Sequence, residues 1–193
     1  MKKVLLATAV ALFASQAAQA EVVNFNEFTS SFQGSGAFSS GSLTFTPASG
    51  SSELGVWTTA PTQGPFDGTP YLLDGFGDVF TVTAAGGAAF TLDSFSAALG
   101  WYTSGAPTPI TVTYALAGGG TSTATYTLTD TFTTFAPGLE VTAATFDMGT
   151  LGGYMSLDDL TVSSVPEPAP ATLMISGLAL AGFIARRRSS QRG

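Results

Sequence analysis

The chain has 193 residues, six Lys and Arg against thirteen Asp and Glu, a formal net charge of −7, and neither histidine nor cysteine. Imidazole bases, thiolate nucleophiles, disulfides and thiolate metal sites are therefore excluded, and with them the common catalytic triads and zinc constellations. The only cations are Lys2, Lys3, Arg186, Arg187, Arg188 and Arg192, so the stretch 21–164 has no positive side chain, holds every acid except Glu167, and stands at −12. Such a body cannot neutralise phosphates, so nucleic acid and acidic polymers are poor partners for it, while calcium, neutral glycans and other proteins remain open.

In chain order, Lys2 and Lys3 precede an apolar run at 4–14 and a small-residue site, Ala18-Gln19-Ala20. That order predicts a secretory signal peptide over 1–20, helical in its apolar part, with signal peptidase cutting between Ala20 and Glu21. The body that follows is long enough for one domain with a true core.

Within the body the pattern is that of strands. Apolar and polar residues alternate at 79–83, at 110–114 and at 121–129, and further strands are expected at 22–28, 43–46, 90–99, 141–148 and 155–163. Glycine and proline punctuate between them, as at Gly64-Pro65, Gly86-Gly87, Gly118-Gly119-Gly120 and Pro137-Gly138. No body segment has helical periodicity with caps. Many short strands and frequent turns predict an all-β, antiparallel β-sandwich over 21–164, most simply a jelly roll. Its core is expected from Phe25, Phe45, Phe80, Phe90, Phe95, Tyr114, Leu128, Phe146 and Leu160.

The C-terminal segment has three parts: Pro166-Glu167-Pro168, an apolar run over about 169–185, and Arg186-Arg187-Arg188, followed by a short tail at 189–193. The run is just long enough for a single transmembrane helix, and the arginines after it would stay cytoplasmic. This order over 165–188 resembles the PEP-CTERM sorting signal of Gram-negative bacteria. The resemblance implies a precursor held transiently in the inner membrane, cut by an exosortase near the Pro-Glu-Pro, and delivered to the cell surface or beyond, in association with exopolysaccharide or biofilm.

A second resemblance lies in the body. Phe25-Asn26-Glu27-Phe28, the segment 90–99 and the closing Met155-Ser156-Leu157-Asp158-Asp159-Leu160-Thr161-Val162 look like the jelly-roll ectodomains found ahead of such tails, which are similar to galactose-binding-like carbohydrate modules. It implies a structural calcium where the first and last strands meet, with Glu27 and Asp158 or Asp159 as ligands. Calcium takes six to eight oxygens, and strand alternation would turn Asp158 and Asp159 to opposite faces, so only one could serve. The alternative is that both merely solvate a strand end. A second acidic group, Asp67, Asp74 and Asp78, stands among glycines and reads as turn composition.

For ligand contact the relevant side chains are aromatic. Trp57, in the loop-rich stretch 49–70, is the candidate for stacking on a sugar, and Trp101 and Tyr102 read more simply as packing. The expectation is a non-catalytic surface protein that binds neutral glycan or exopolysaccharide. Two alternatives remain. Thr-x-Thr at 44/46, 81/83, 111/113 and along 121–131 could form a threonine face like those of ice-binding proteins, or serve simply as solvent-facing strand. A pair of carboxylates could also hydrolyse glycosides, which would need two of them facing each other across a sugar with one pKa raised.

Overall fold

The computed structural model describes residues 19–50, 53–60, 64–75, 77–100, 106–149 and 153–164. The signal segment through Ala18, the Pro166-Glu167-Pro168 element, the expected membrane span, the three arginines and the aromatics Trp101 and Tyr102 lie outside them. Among the described residues no helix is long and apolar enough to cross a membrane.

Thirteen strands carry the described part of the body: β1 (Ala20–Val23), β2 (Phe32–Gly34), β3 (Phe38–Ser40), β4 (Leu43–Pro47), β5 (Leu54–Trp57), β6 (Tyr71–Asp74), β7 (Val79–Ala84), β8 (Phe90–Leu99), β9 (Thr108–Leu116), β10 (Thr121–Leu128), β11 (Thr133–Phe135), β12 (Leu139–Asp147) and β13 (Met155–Ser164). Ala85–Gly87 form a single 3-10 turn. The strand pairings are antiparallel throughout.

The sheet curls back on itself through β12. Its first residues pair with β8, and after an irregularity between Val141 and Ala143 the strand continues between β7 and β9. One layer thus runs β2-β5-β6-β13-β8 with β1 and β11 alongside, and the other runs β10-β9-β12-β7-β4-β3. An extra residue bends a strand and sharpens its twist, which lets β12 turn the corner between layers. All nine core residues expected from the sequence are buried between them. Phe146 stacks on Phe80 with ring centroids 5.0 Å apart and meets the edge of Phe95 at 5.3 Å. Such pairs add roughly 0.5–1.5 kcal/mol each beyond the area they bury, which matters in a body with no disulfide.

Two expectations need correction. The strand expected over 22–28 ends at Val23, because Phe25 adopts a left-handed conformation (φ 57°) and Phe28 N–H donates to Phe25 C=O at 3.1 Å. The left-handed backbone costs about 1–2 kcal/mol, which full burial of the Phe25 ring against Phe45 offsets. The stretch 49–70 is not all loop either. It contains β5, and Trp57 is that strand's last residue, opposite Tyr71 of β6.

Candidate metal centre and aromatic patch

Strand β13 reads Met-Ser-Leu-Asp-Asp-Leu, and both Leu157 and Leu160 belong to the main core. Two residues separate them, whereas a regular strand returns to the same face after one. The strand resolves this with a bulge: Asp158 pairs with Ser96 and Thr161 with Ser94, so β13 carries one extra residue at that point, and β8 restores the register with one of its own before Val162 pairs with Leu92. Asp159 occupies it at φ 47°, a conformation that Asp tolerates better than most side chains. Asp158 and Asp159 therefore both turn away from the core. The alternation argument, which allowed only one of them at any site, is overturned.

Beside them lies the segment 64–70 leading into β6. Asp67 forms the expected turn, accepting the Thr69 backbone N–H at 3.0 Å, while the Thr69 hydroxyl reaches Asp158 Oδ2 at 3.1 Å. Asp67, Asp158 and Asp159 each offer a carboxylate oxygen, all within 4.8 Å of one another. Asp67, which reads as turn composition in the sequence, thus joins two of the nominated residues. The third, Glu27, is exposed and is not a member of this group.

The electrostatics follow from burial without a counter-charge. Asp158 is 1% exposed, and desolvation pushes its carboxyl up to about 8. The neighbouring Asp159 and Asp67 carboxylates push in the same direction, against the Asp159 amide, which donates to Oδ1 at 2.8 Å, and the Thr69 hydroxyl. Tyr71 next door is pushed up to about 12, by desolvation first and then by Asp67. Carboxylates that repel one another, with a hydroxyl among them and no cation in the whole body, form an oxygen set that suits a hard divalent ion such as calcium. Asp67, Asp158 and Asp159 would hold it, and its charge would tie the bulged last strand to the segment 64–70.

An aromatic patch adjoins this group. Tyr71, Leu73 and Tyr154 form a second buried cluster on the outer side of β6, with the half-buried Trp57 and Phe132 packed against it. Phe66 lies over Tyr71 with centroids 6.2 Å apart and is 37% exposed, one of two large apolar side chains prominent at the described surface. Trp57 is thus part of a packed patch rather than a free loop residue. Its companions Phe66 and Phe132 leave no mark in the sequence pattern, because each sits alone among turn residues.

The remaining nominated residues lie elsewhere. Ala20 and Glu21 are in β1, paired with Ser163 and Val162, and Glu21 Oε1 accepts the Ser42 N–H at 3.0 Å. A cavity of about 580 Å³ opens beside them, lined by Ser42, Ala84, Ala88, Phe90 and Val162 among others, with Glu21 its single acid. The two carboxyls with raised pKa, Asp74 and Asp158, are each 1% exposed, so neither can be presented to a glycosidic bond.

No family model matches the chain, and no curated protein does. Among solved structures it is similar to the tandem CBM22-1–CBM22-2 domain of Paenibacillus barcinonensis Xyn10C (17% identity, TM-score 0.45, covering 80% of this chain and 48% of that one). It is also similar to the CBM22-1 xylan-binding domain of the same enzyme (16%, TM-score 0.44, 78% and 97%) and to a mutant of CBM29-2, a family 29 carbohydrate-binding module (9%, TM-score 0.41, 79% and 99%). The chain spans about half of the tandem domain. What those modules bind is a property of those modules.

Proposed function

We propose that this chain is an exported, non-catalytic surface module, a calcium-tied β-sandwich that contacts neutral glycan through the patch around Tyr71. The signal segment at 1–20 and the PEP-CTERM-like segment at 165–188 support delivery beyond the inner membrane, with signal peptidase and an exosortase as processing partners and an exopolysaccharide matrix as destination. The observation that carries the reading is the meeting of Asp67, Asp158 and Asp159 beside Phe66, Trp57 and Tyr71 in a body without one cationic side chain. Aromatic faces stack on the apolar side of sugar rings, and an uncompensated anionic surround selects neutral over acidic polymers.

The test is a glycan array probed with the protein in calcium and in chelator. Neutral polysaccharides should be retained with calcium, and both Trp57→Ala and Asp158→Asn should weaken retention. Equal retention by all three proteins, or none by the wild type, ends the reading.

One observation favours a second reading, a structural or ice-contacting surface. Across the outer side of the β10-β9-β12-β7-β4 layer, Thr123, Thr113, Thr145, Thr81 and Thr46 stand in register, one per strand. A parallel row runs Thr121, Ala115, Ala143, Thr83, Thr44 and Ser39.

A further inference from the structure

We propose a second hard-cation site at the end of the sandwich around Asp74, taking calcium or another oxygen-seeking divalent ion. The proposal does not depend on the Asp67, Asp158 and Asp159 group, which lies on the other side of the same strand. In β6, Tyr71 and Leu73 face outward, so Leu72 and Asp74 face the core, and Asp74 stands opposite Met155, a core residue paired in turn with Leu99. Asp74 is thus not the turn residue its neighbouring glycines suggest. It is a strand residue pointing between the layers.

Its carboxylate is 1% exposed, and neither oxygen has a hydrogen-bond partner. Leaving a carboxylate in this state is among the costlier arrangements in a protein, and it persists only if the group is neutralised or holds a positive ion. The carboxylates of Asp78 in the turn after β6, Asp147 at the end of β12 and Glu53 just ahead of β5 are near enough to act on it electrostatically. All three, after burial itself, hold the Asp74 carboxyl up, and the Gly75 amide offsets this only in part without reaching hydrogen-bonding geometry. The body contains no Lys, Arg or His to balance any of them.

The local backbone is built to bring these groups together. A Cβ on Gly75 would sit 2.7 Å from Glu53 Oε2 and 2.8 Å from Tyr154 Cε1, so only glycine lets the Glu53 carboxylate lie against the residue following Asp74. Asp78 N–H donates to Gly75 C=O at 3.1 Å and Gly77 N–H to Gly153 C=O at 3.0 Å, which anchors the turn to the chain entering β13. An ion there would take Asp74 with Glu53, whose carboxylate lies against Gly75, and complete its shell with carbonyl oxygen and water, as calcium commonly does.

The experiment is calcium titration of the full chain in detergent, stripped with chelator, by isothermal calorimetry with parallel melting curves. Wild type, Asp74→Asn and Asp158→Asn are compared. Asp74→Asn should remove one bound ion per chain and shrink the calcium-induced rise in Tm, while Asp158→Asn leaves that ion in place, so failure of either site shows separately. Should Asp74→Asn not fold, Glu53→Gln, at the rim of the cluster, should weaken the same binding step. The proposal is overturned if Asp74→Asn, or Glu53→Gln in its place, binds calcium with wild-type stoichiometry and affinity. A gain in Tm for Asp74→Asn in chelator together with unchanged calcium binding would identify Asp74 as a buried, protonated acid instead.

Discussion

The outer sides of the two layers use the same backbone in opposite ways. On the β10-β9-β12-β7-β4 layer the register, once past the irregularity between Val141 and Ala143, runs through five strands and yields rows of threonine, with Asp147 as an acid at one margin. On the β5-β6-β13-β8 layer the register shifts twice in quick succession, once on β13 and once on β8, and there a buried carboxylate, two companions and an aromatic patch gather. Regular alternation spreads side chains evenly over a surface. Chemistry collects where alternation fails, because only a bulge turns two successive acids the same way.

The sharpest way to break this contrast is to delete Asp159. Without it Leu157, Asp158, Leu160, Thr161 and Val162 would alternate regularly, which keeps Leu157, Leu160 and Val162 facing inward and removes one of the three grouped carboxylates. The expected result is a chain that still melts cooperatively by circular dichroism but loses the part of the calcium-induced rise in Tm that the Asp67 group supplies. A deletion variant whose calcium response matches wild type would mean that the bulge is not what gathers these acids.

A smaller effect separates the layers by pH. In the folded chain burial holds Asp158 and Asp74 near 8 against an ordinary value of 3.8, helped by the charges of Asp159 and Asp67 on Asp158 and of Asp78, Asp147 and Glu53 on Asp74. A folded pKa above the unfolded one means that the folded state binds protons more tightly. The resulting stability is fully present below about pH 4 and is lost as pH rises through about 8. The chelated protein should therefore gain stability on acidification, by up to a few kcal/mol, the reverse of ordinary acid denaturation. Calcium needs the ionised forms, so its stabilising effect should grow with pH over the same window. Urea midpoints across that range check both signs, and Asp158→Asn should flatten the chelated profile; a midpoint that falls on acidification contradicts the burial of these groups.

Much of this architecture can be read from residues alone, and the places where reading fails have physical causes. The strands at 79–83, 110–114 and 121–129 are legible because apolar and polar residues alternate along them, and they appear within β7, β9 and β10. The short strands β2, β3, β5, β6 and β11, three or four residues each, carry too few positions to establish a period. Tyr-Leu-Leu-Asp in β6 is buried on both faces and does not alternate at all, so Asp74 beside its glycines reads as part of a turn. The bulge in β13 is in principle visible, since Leu157 and Leu160 cannot both face inward on a regular strand. Asp67 is not: its place beside Asp158 depends on a contact between Thr69 and Asp158, 89 residues apart, that no local pattern encodes.

The smallest expected effect concerns the threonine rows, and it decides between the two readings of that layer. Hydroxyls at neighbouring strand positions repeat every 4.7–4.9 Å or so, and Thr81 and Thr145 lie close enough for their hydroxyls to share a hydrogen bond at 3.0 Å. Adjacent strands, however, rotate by about 20–25° relative to one another, so the four steps from β10 to β4 accumulate roughly 80–100°. A flat lattice would therefore meet only two or three strands at a time. On this ground the rows serve as solvent-facing strand, and replacing Thr113 and Thr145 together by Val should shift stability by no more than about 0.5 kcal/mol per site and leave calcium affinity unchanged. The wild type should show no thermal hysteresis. Hysteresis that is present, and lost in Thr113→Lys with Thr145→Lys, would hand this layer the working surface and leave the bulged layer a purely structural part.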